Sequence, residues 1–231
     1  MILCCKESLI DSIPEQTVKN KNGFYSYPGG AIFNTAICIS RLKCRMRLMN
    51  GISTDIFGQQ LMAELSVSNV YACNAILSDR PTTLAFVQLT YGQASYLFYD
   101  ENSTIRMITV EDMPNRFDDV TAFLFDGVSF HCEPKAEIYV QFAKTSANGS
   151  VVMVDPNIRP IFVSNEPLFR DHMERIFRLA DIVKVSDEDL NWFFPGSESI
   201  ETKVAKLQKI GSALVILTCG GSGVKAWKSE G

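Results

Sequence analysis

The 231-residue chain predicts an α/β fold built on a parallel sheet, with a small β-strand element beside it. Three observations carry this. Short apolar runs at 122–125, 151–154, 182–185 and 214–218 alternate with longer segments of helical periodicity, which is how the buried strands of a parallel sheet read. Polar blocks follow three of those runs at once: Asp155-Pro156-Asn157-Ile158-Arg159, Ser186-Asp187-Glu188-Asp189 and Cys219-Gly220-Gly221-Ser222-Gly223. In open α/β sheets, ligands are held beyond the carboxyl ends of the strands. Between 70 and 100 the pattern changes to two β-rich runs, 82–89 and 94–99, joined by the turn Thr90-Tyr91-Gly92-Gln93 with no helix between them.

In chain order, Met1-Ile2-Leu3-Cys4-Cys5 reads as a first strand, too short for a signal sequence and followed at once by Lys6 and Glu7. Residues 12–28, with Pro14, Asn20, Asn22, Gly23, Tyr25, Tyr27 and Pro28, read as a loop or an edge hairpin. A helix over 30–42 follows, with Ile32, Phe33, Ala36, Ile37, Ile39 and Leu42 at helical spacing. Next come a strand over 48–52 and a helix over about 57–65. Helices over 134–146, 166–179 and 198–209 fill the gaps between the later strands. The whole reads as one domain over 1–231, with extra β elements within about 12–28 and 70–100. Those elements form either a lid outside the parallel sheet or an antiparallel extension of its edge.

Composition narrows the function classes. A net charge of -4 without a long Lys/Arg run gives no field for nucleic acid. No apolar run approaches the roughly 18 residues that cross a bilayer, so a soluble cytoplasmic protein without membrane partners is expected. The seven cysteines are scattered and mostly inside apolar runs, which suits buried thiols in a reducing compartment. With only His131 and His172, a His-based metal site or a Ser-His-Asp triad has little raw material. A dinucleotide-binding dehydrogenase is disfavoured because Lys6-Glu7-Ser8, not Gly-x-Gly-x-x-Gly, follows the first strand.

The stretch Pro28-Gly29-Gly30-Ala31-Ile32-Phe33-Asn34 joins a polar approach to an apolar helix. Its glycines allow close backbone approach or positive φ, and the helix start offers unpaired N–H groups to an oxygen-rich ligand. A turn with a helix cap is the alternative. Asp11 can accept hydrogen bonds from two hydroxyls, or serve only as a loop carboxylate, and Asn34 can both donate and accept. Arg106 and Arg159 are cations suited to anionic groups, or solvated surface residues. Asp187-Glu188-Asp189 also reads as an acidic cluster favoured at a helix N-terminus.

These blocks in this order, with Asn50-Gly51-Ile52-Ser53-Thr54-Asp55-Ile56-Phe57-Gly58, Asp79-Arg80-Pro81-Thr82-Thr83 and Tyr99-Asp100-Glu101-Asn102-Ser103, resemble the ribokinase-like (PfkB) sugar kinases. Their bacterial fructokinase branch matches best. The resemblance implies a ribokinase-like α/β sandwich with a β lid over the sugar, and phosphoryl transfer from ATP with Mg²⁺. It assigns Asp11, Gly29, Gly30, Asn34, Arg106 and Arg159 to the sugar side, and Asn157, Lys184, Ser186, Thr218, Gly220 and Gly223 to the nucleotide. Asp189 would act on magnesium through water, since Lys184, Ser186 and Asp189 match a stretch that usually reads Asn-x-x-Glu. A homodimer through the lid is a further expectation.

The resembled kinases also carry a Gly-Ala-Gly-Asp turn that holds the transferring phosphoryl and deprotonates the sugar. No Gly-x-Gly-Asp occurs in residues 1–231, so the C-terminal part of the fold is expected to be missing and no catalytic base is assigned. Lys6, Lys43 and Asp126 stand where the family usually has glycine. The expected outcomes are a sugar kinase of doubtful activity or a non-catalytic remnant that binds sugar or a partner subunit. Strands 151–154 and 214–218 are expected to expose apolar side chains.

Overall fold

The computed structural model describes residues 1–5, 7–16, 21–90, 93–114, 117–146 and 148–229. Lys6, the Tyr91-Gly92 centre of the expected turn and residues 17–20 of the expected hairpin lie outside them. Backbone packing divides the chain into two compact units, Cys4–Ile108 and Met1–Leu3 with Thr109–Gly231. The first strand, β1 (Ile2–Cys5), contributes to both.

In the unit Cys4–Ile108, β2 (Leu9–Gln16) and β3 (Asn22–Gly29) form the hairpin expected around 12–28, paired from Leu9↔Gly29 to Gln16↔Asn22. Asp11, expected in the connection just past the first strand, therefore lies inside a strand. Helix α1 (Ala31–Arg41) buries Ile32, Phe33, Ala36 and Ile37 and packs on β4 (Met46–Met49). The single strand expected over 48–52 is two, because the chain bends at Asn50 before β5 (Gly51–Ser53). The buried Asn50 side chain bonds Ser8 Oγ, and a Cβ on Gly51 would stand 2.8 Å from the Thr104 carbonyl oxygen.

Asp55 caps α2 (Ile56–Val67), its Oδ1 accepting from Phe57 N, Gly58 N and Thr82 Oγ1 while Oδ2 accepts from Thr82 N. One carboxylate thus ties the 50–58 block to the 79–83 block. Burial pushes its pKa up, but the hydrogen bonds from Gly58, Thr82 and Ser53 outweigh that and hold it low. After β6 (Ile76–Ser78), which pairs with β5, the hairpin of β7 (Leu84–Thr90) and β8 (Gln93–Tyr99) joins β2 in a parallel pair. The four strands form a sheet of their own, ordered β3-β2-β7-β8, so the meander does not extend the parallel sheet.

The second unit carries the alternation read from the sequence: β9 (Ala122–Asp126), α3 (Lys135–Ser146), β10 (Val151–Asp155), α4 (Glu166–Phe177) and β11 (Ile182–Ser186). A short α5 (Asp187–Phe193), α6 (Ile200–Ile210), β12 (Leu214–Thr218) and β13 (Val224–Lys228) complete it. Strands β9 to β12 are parallel neighbours, and β13 adds antiparallel to β12. Helix α4 buries Phe169, His172, Met173, Ile176 and Phe177, a spacing of three and four that makes one apolar stripe.

The acidic cluster is the first turn of α5, capped by Ser186 Oγ. Of the strands expected to be uncovered, Val152, Val154, Val215 and Leu217 are buried, while Val151 is 43% exposed and Met153, Leu214 and Ile216 are half-buried. One side of these strands is closed and the other partly open. No helix among the described residues is long and apolar enough to cross a membrane.

Candidate functional site

The candidate residues fall into two groups, one in each unit. In the first, Asp11 of β2 stands over the last residue of β3, so close that a Cβ on Gly29 would lie 2.1 Å from Asp11 Oδ2. Only glycine leaves the carboxylate its place. Burial raises the Asp11 pKa, so its charged form lacks part of its solvation and gains from hydroxyl donors. Gly30 is the N-cap of α1 with φ of 107° and no side-chain cap, which leaves the first-turn N–H groups of α1 without a capping acceptor. Asn34, exposed and one turn in, has its backbone N–H bonded to the Gly30 carbonyl. Asp11, Gly29, Gly30 and Asn34 are thus brought together. Arg106 instead forms an ion pair with Asp100 at 3.0 Å.

The second group gathers at the carboxyl ends of β9 to β12. Lys184 of β11 forms an ion pair with Asp155 of β10 at 2.8 Å. Asp189 is buried in the first turn of α5, its N–H bonded to Ser186 Oγ and its Oδ1 accepting from Ile158 N at 3.2 Å. Burial pushes its pKa up and the Asp155 charge adds to that, against the Ser186 and Ile158 hydrogen bonds and the Arg159 charge. Arg159, expected on the sugar side, belongs to this unit and stands within electrostatic reach of Asp189.

Asn157 adopts φ of 38° and donates from Nδ2 to both oxygens of Asp126, while Arg159 N donates to His131 Nε2 at 3.3 Å. Thr218 ends β12, and in the turn behind it Gly220, Gly221 and Gly223 have nothing within 4 Å of where a Cβ would stand. Among the described residues no three His, Cys, Asp or Glu gather to hold a metal directly.

Sequence reasoning placed Asp155 in a polar block at these strand ends without giving it a role, and did not single out Asp126 or His131 as parts of this group. A carboxylate closing an apolar strand was a usable signal for Asp126 and Asp155, which are in register on neighbouring strands. His131 left none, since its contact with Arg159 spans 28 residues.

The model of the pfkB family carbohydrate kinases matches residues 2–231. The chain belongs to this family. Within it, the chain is 42% identical over 233 residues to a fructokinase of Rhizobium leguminosarum bv. trifolii, covering 100% of this chain and 70% of that protein. A fructokinase structure from Xylella fastidiosa with bound ATP superposes with a TM-score of 0.89 at 26% identity, over 98% of this chain and 74% of that one. An uncharacterized sugar kinase of Pyrococcus horikoshii in complex with ATP gives 0.83 at 28% identity, over 100% and 75%. The mostly parallel sheet with its helices is accordingly the ribokinase-like α/β fold of pfkB kinases.

Proposed function

We propose that the chain is a fructokinase-like sugar kinase module that binds fructose or a similar sugar together with ATP. The observation that carries the sugar assignment is the Asp11 carboxylate seated over Gly29 beside the uncapped start of α1. Its two oxygens accept from adjacent hydroxyls, the α1 N–H groups face ligand oxygens, and Asn34 bonds a further hydroxyl. Arg106 and Arg159 are the cations assigned to anionic groups, Arg106 in the sugar unit, where it pairs with Asp100, and Arg159 in the nucleotide unit.

The nucleotide is held by Asn157, Lys184, Ser186, Thr218, Gly220 and Gly223. The open glycine turn after β12 has room for close backbone approach, which fits a polyphosphate or base at that position. Asp189 would act on Mg²⁺ through its water shell. When bound, MgATP supplies the γ-phosphoryl, and the residues named here position donor and acceptor. Residues 1–231 are read as one kinase domain, with the four-stranded sheet as lid. Of the seven cysteines expected to be buried, only Cys4 and Cys5 are, and Cys38, Cys44 and Cys73 are exposed; as free thiols they suit a cytoplasmic location. A homodimer through the lid is supported by Phe24, Leu97 and Tyr99, each 58% exposed on that sheet.

A second reading is sugar binding without turnover, with the same Asp11 and Gly29 pair holding the sugar. Calorimetry with fructose and with MgATP, beside a coupled assay of ADP release, separates the two. Binding with ADP release supports the kinase, binding without it supports the binder, and no binding of either ligand overturns both. Sedimentation at rising concentration tests the dimer.

A further inference from the structure

The turn after β10 is held residue by residue from three directions. Asn157 donates to Asp126 Oδ2 at 3.1 Å and Oδ1 at 3.3 Å, Ile158 N donates to Asp189 Oδ1 at 3.2 Å, and Arg159 N donates to His131 Nε2 at 3.3 Å. Of these, the Asp126 contact bears on conformation. Asn157 has φ of 38°, a region that residues with a Cβ resist and asparagine tolerates best. Asp126 is 1% exposed at the tip of β9, where a carboxylate is retained only if it is well bonded. The next residue fixes the spacing. A Cβ on Gly127 would stand 1.5 Å from the Pro156 carbonyl oxygen, so the end of β9 and the turn after β10 are in direct backbone contact.

We propose that Asp126 is a positioning residue for the nucleotide half of the site: its carboxylate holds Asn157 in the left-handed turn and so sets where the exposed Arg159 guanidinium meets a polyphosphate. Asp126 does not touch the nucleotide. It acts through Asn157, because a charge-assisted bond from a buried acceptor is strong enough to hold a disfavoured φ. The inference rests on the nucleotide reading given above for Asn157 and its neighbours.

The test titrates MgATP into the full chain and into three variants, Asp126→Ala, Asp126→Asn, and the reversed pair Asp126→Asn with Asn157→Asp. Both single variants are expected to weaken ATP binding, Asp126→Ala by about tenfold to a hundredfold. The reversed pair restores an amide and a carboxylate in contact and, because Asn157 itself meets the nucleotide, is read on amide protection and not on ATP affinity. Hydrogen exchange at the Ile158 and Arg159 amides is read in parallel, with protection lost in the single variants and regained in the pair. Unchanged ATP affinity and protection in the folded single variants overturns the inference, as does a reversed pair whose amide protection is no better than that of Asp126→Asn. A wild-type chain that binds no ATP overturns the nucleotide reading itself, a different result seen before any variant is made. Should Asp126→Ala fail to fold, the near-isosteric Asp126→Asn and the pair still decide.

Discussion

The carboxylate of Asp11 occupies the space that a side chain on Gly29 would need, 2.1 Å from Oδ2 to the position of a Cβ. The two residues sit on neighbouring antiparallel strands, and no side chain fits at 29 while Asp11 keeps this place. Gly29→Ala is expected to push Asp11 off its position, lowering stability by about 1–3 kcal/mol and removing sugar binding. Thermal melting and fructose calorimetry check this. An alanine variant that binds sugar like the wild type overturns the role given to the pair.

Sugar affinity should depend on pH through Asp11. Burial raises its pKa, so the carboxylate that accepts from hydroxyls protonates at a higher pH than an ordinary aspartate. As pH falls, binding is lost before an exposed aspartate would titrate, and Asp11→Asn flattens the profile at low affinity. Fructose affinity measured from pH 7 downward in both proteins reads it out.

Lys43 is the residue after the cap of α1, with φ of 64°, and closes the helix with bonds from Lys43 N to Ser40 O and Cys44 N to Ile39 O. That is a Schellman ending, whose left-handed position favours glycine. Lys43→Gly should stabilise the chain by about 1 kcal/mol, a rise of about 2–4 °C in melting temperature. A fall in melting temperature counts against the helix ending described.

Glu137 of α3 receives two hydrogen bonds from Arg175 of α4, at 2.7 and 2.8 Å, and its pKa falls from 4.5 to about 2, chiefly through that guanidinium. A carboxylate lowered on folding contributes stability that is complete above its ordinary pKa and lost as pH drops towards the folded value. The pair is partly exposed, so its worth after solvent screening is about 1 kcal/mol. Glu137→Gln should therefore melt below the wild type at pH 7 and converge with it near pH 2. A gap that is constant across that range excludes the ion pair as its origin.

The alternation of β9 to β12 with α3, α4 and α6 was legible because each element carries its own periodicity within about 12 residues. The same holds for the two hairpins and for the glycine pair before α1. The split at Asn50 was not, since it follows from contacts with Ser8 and Thr104, distant in the chain. Nor was β13, which is largely exposed, and of α5 only the acidic first turn was legible, the helix being too short for a periodic signal.

By itself the amino-acid order determined the family, the parallel α/β body and the residue types able to meet a sugar and a nucleotide, because those are written in local patterns and block order. The tertiary structure alone decided that Asp11 lies within a strand over Gly29, that Arg106 is taken by Asp100, and that Asp126, Asp189 and His131 hold the turn at 157–159. The reason is one of distance along the chain. Hydrogen bonds and steric exclusion act over about 3 Å in space, and the partners involved stand 6 to 31 residues apart in sequence.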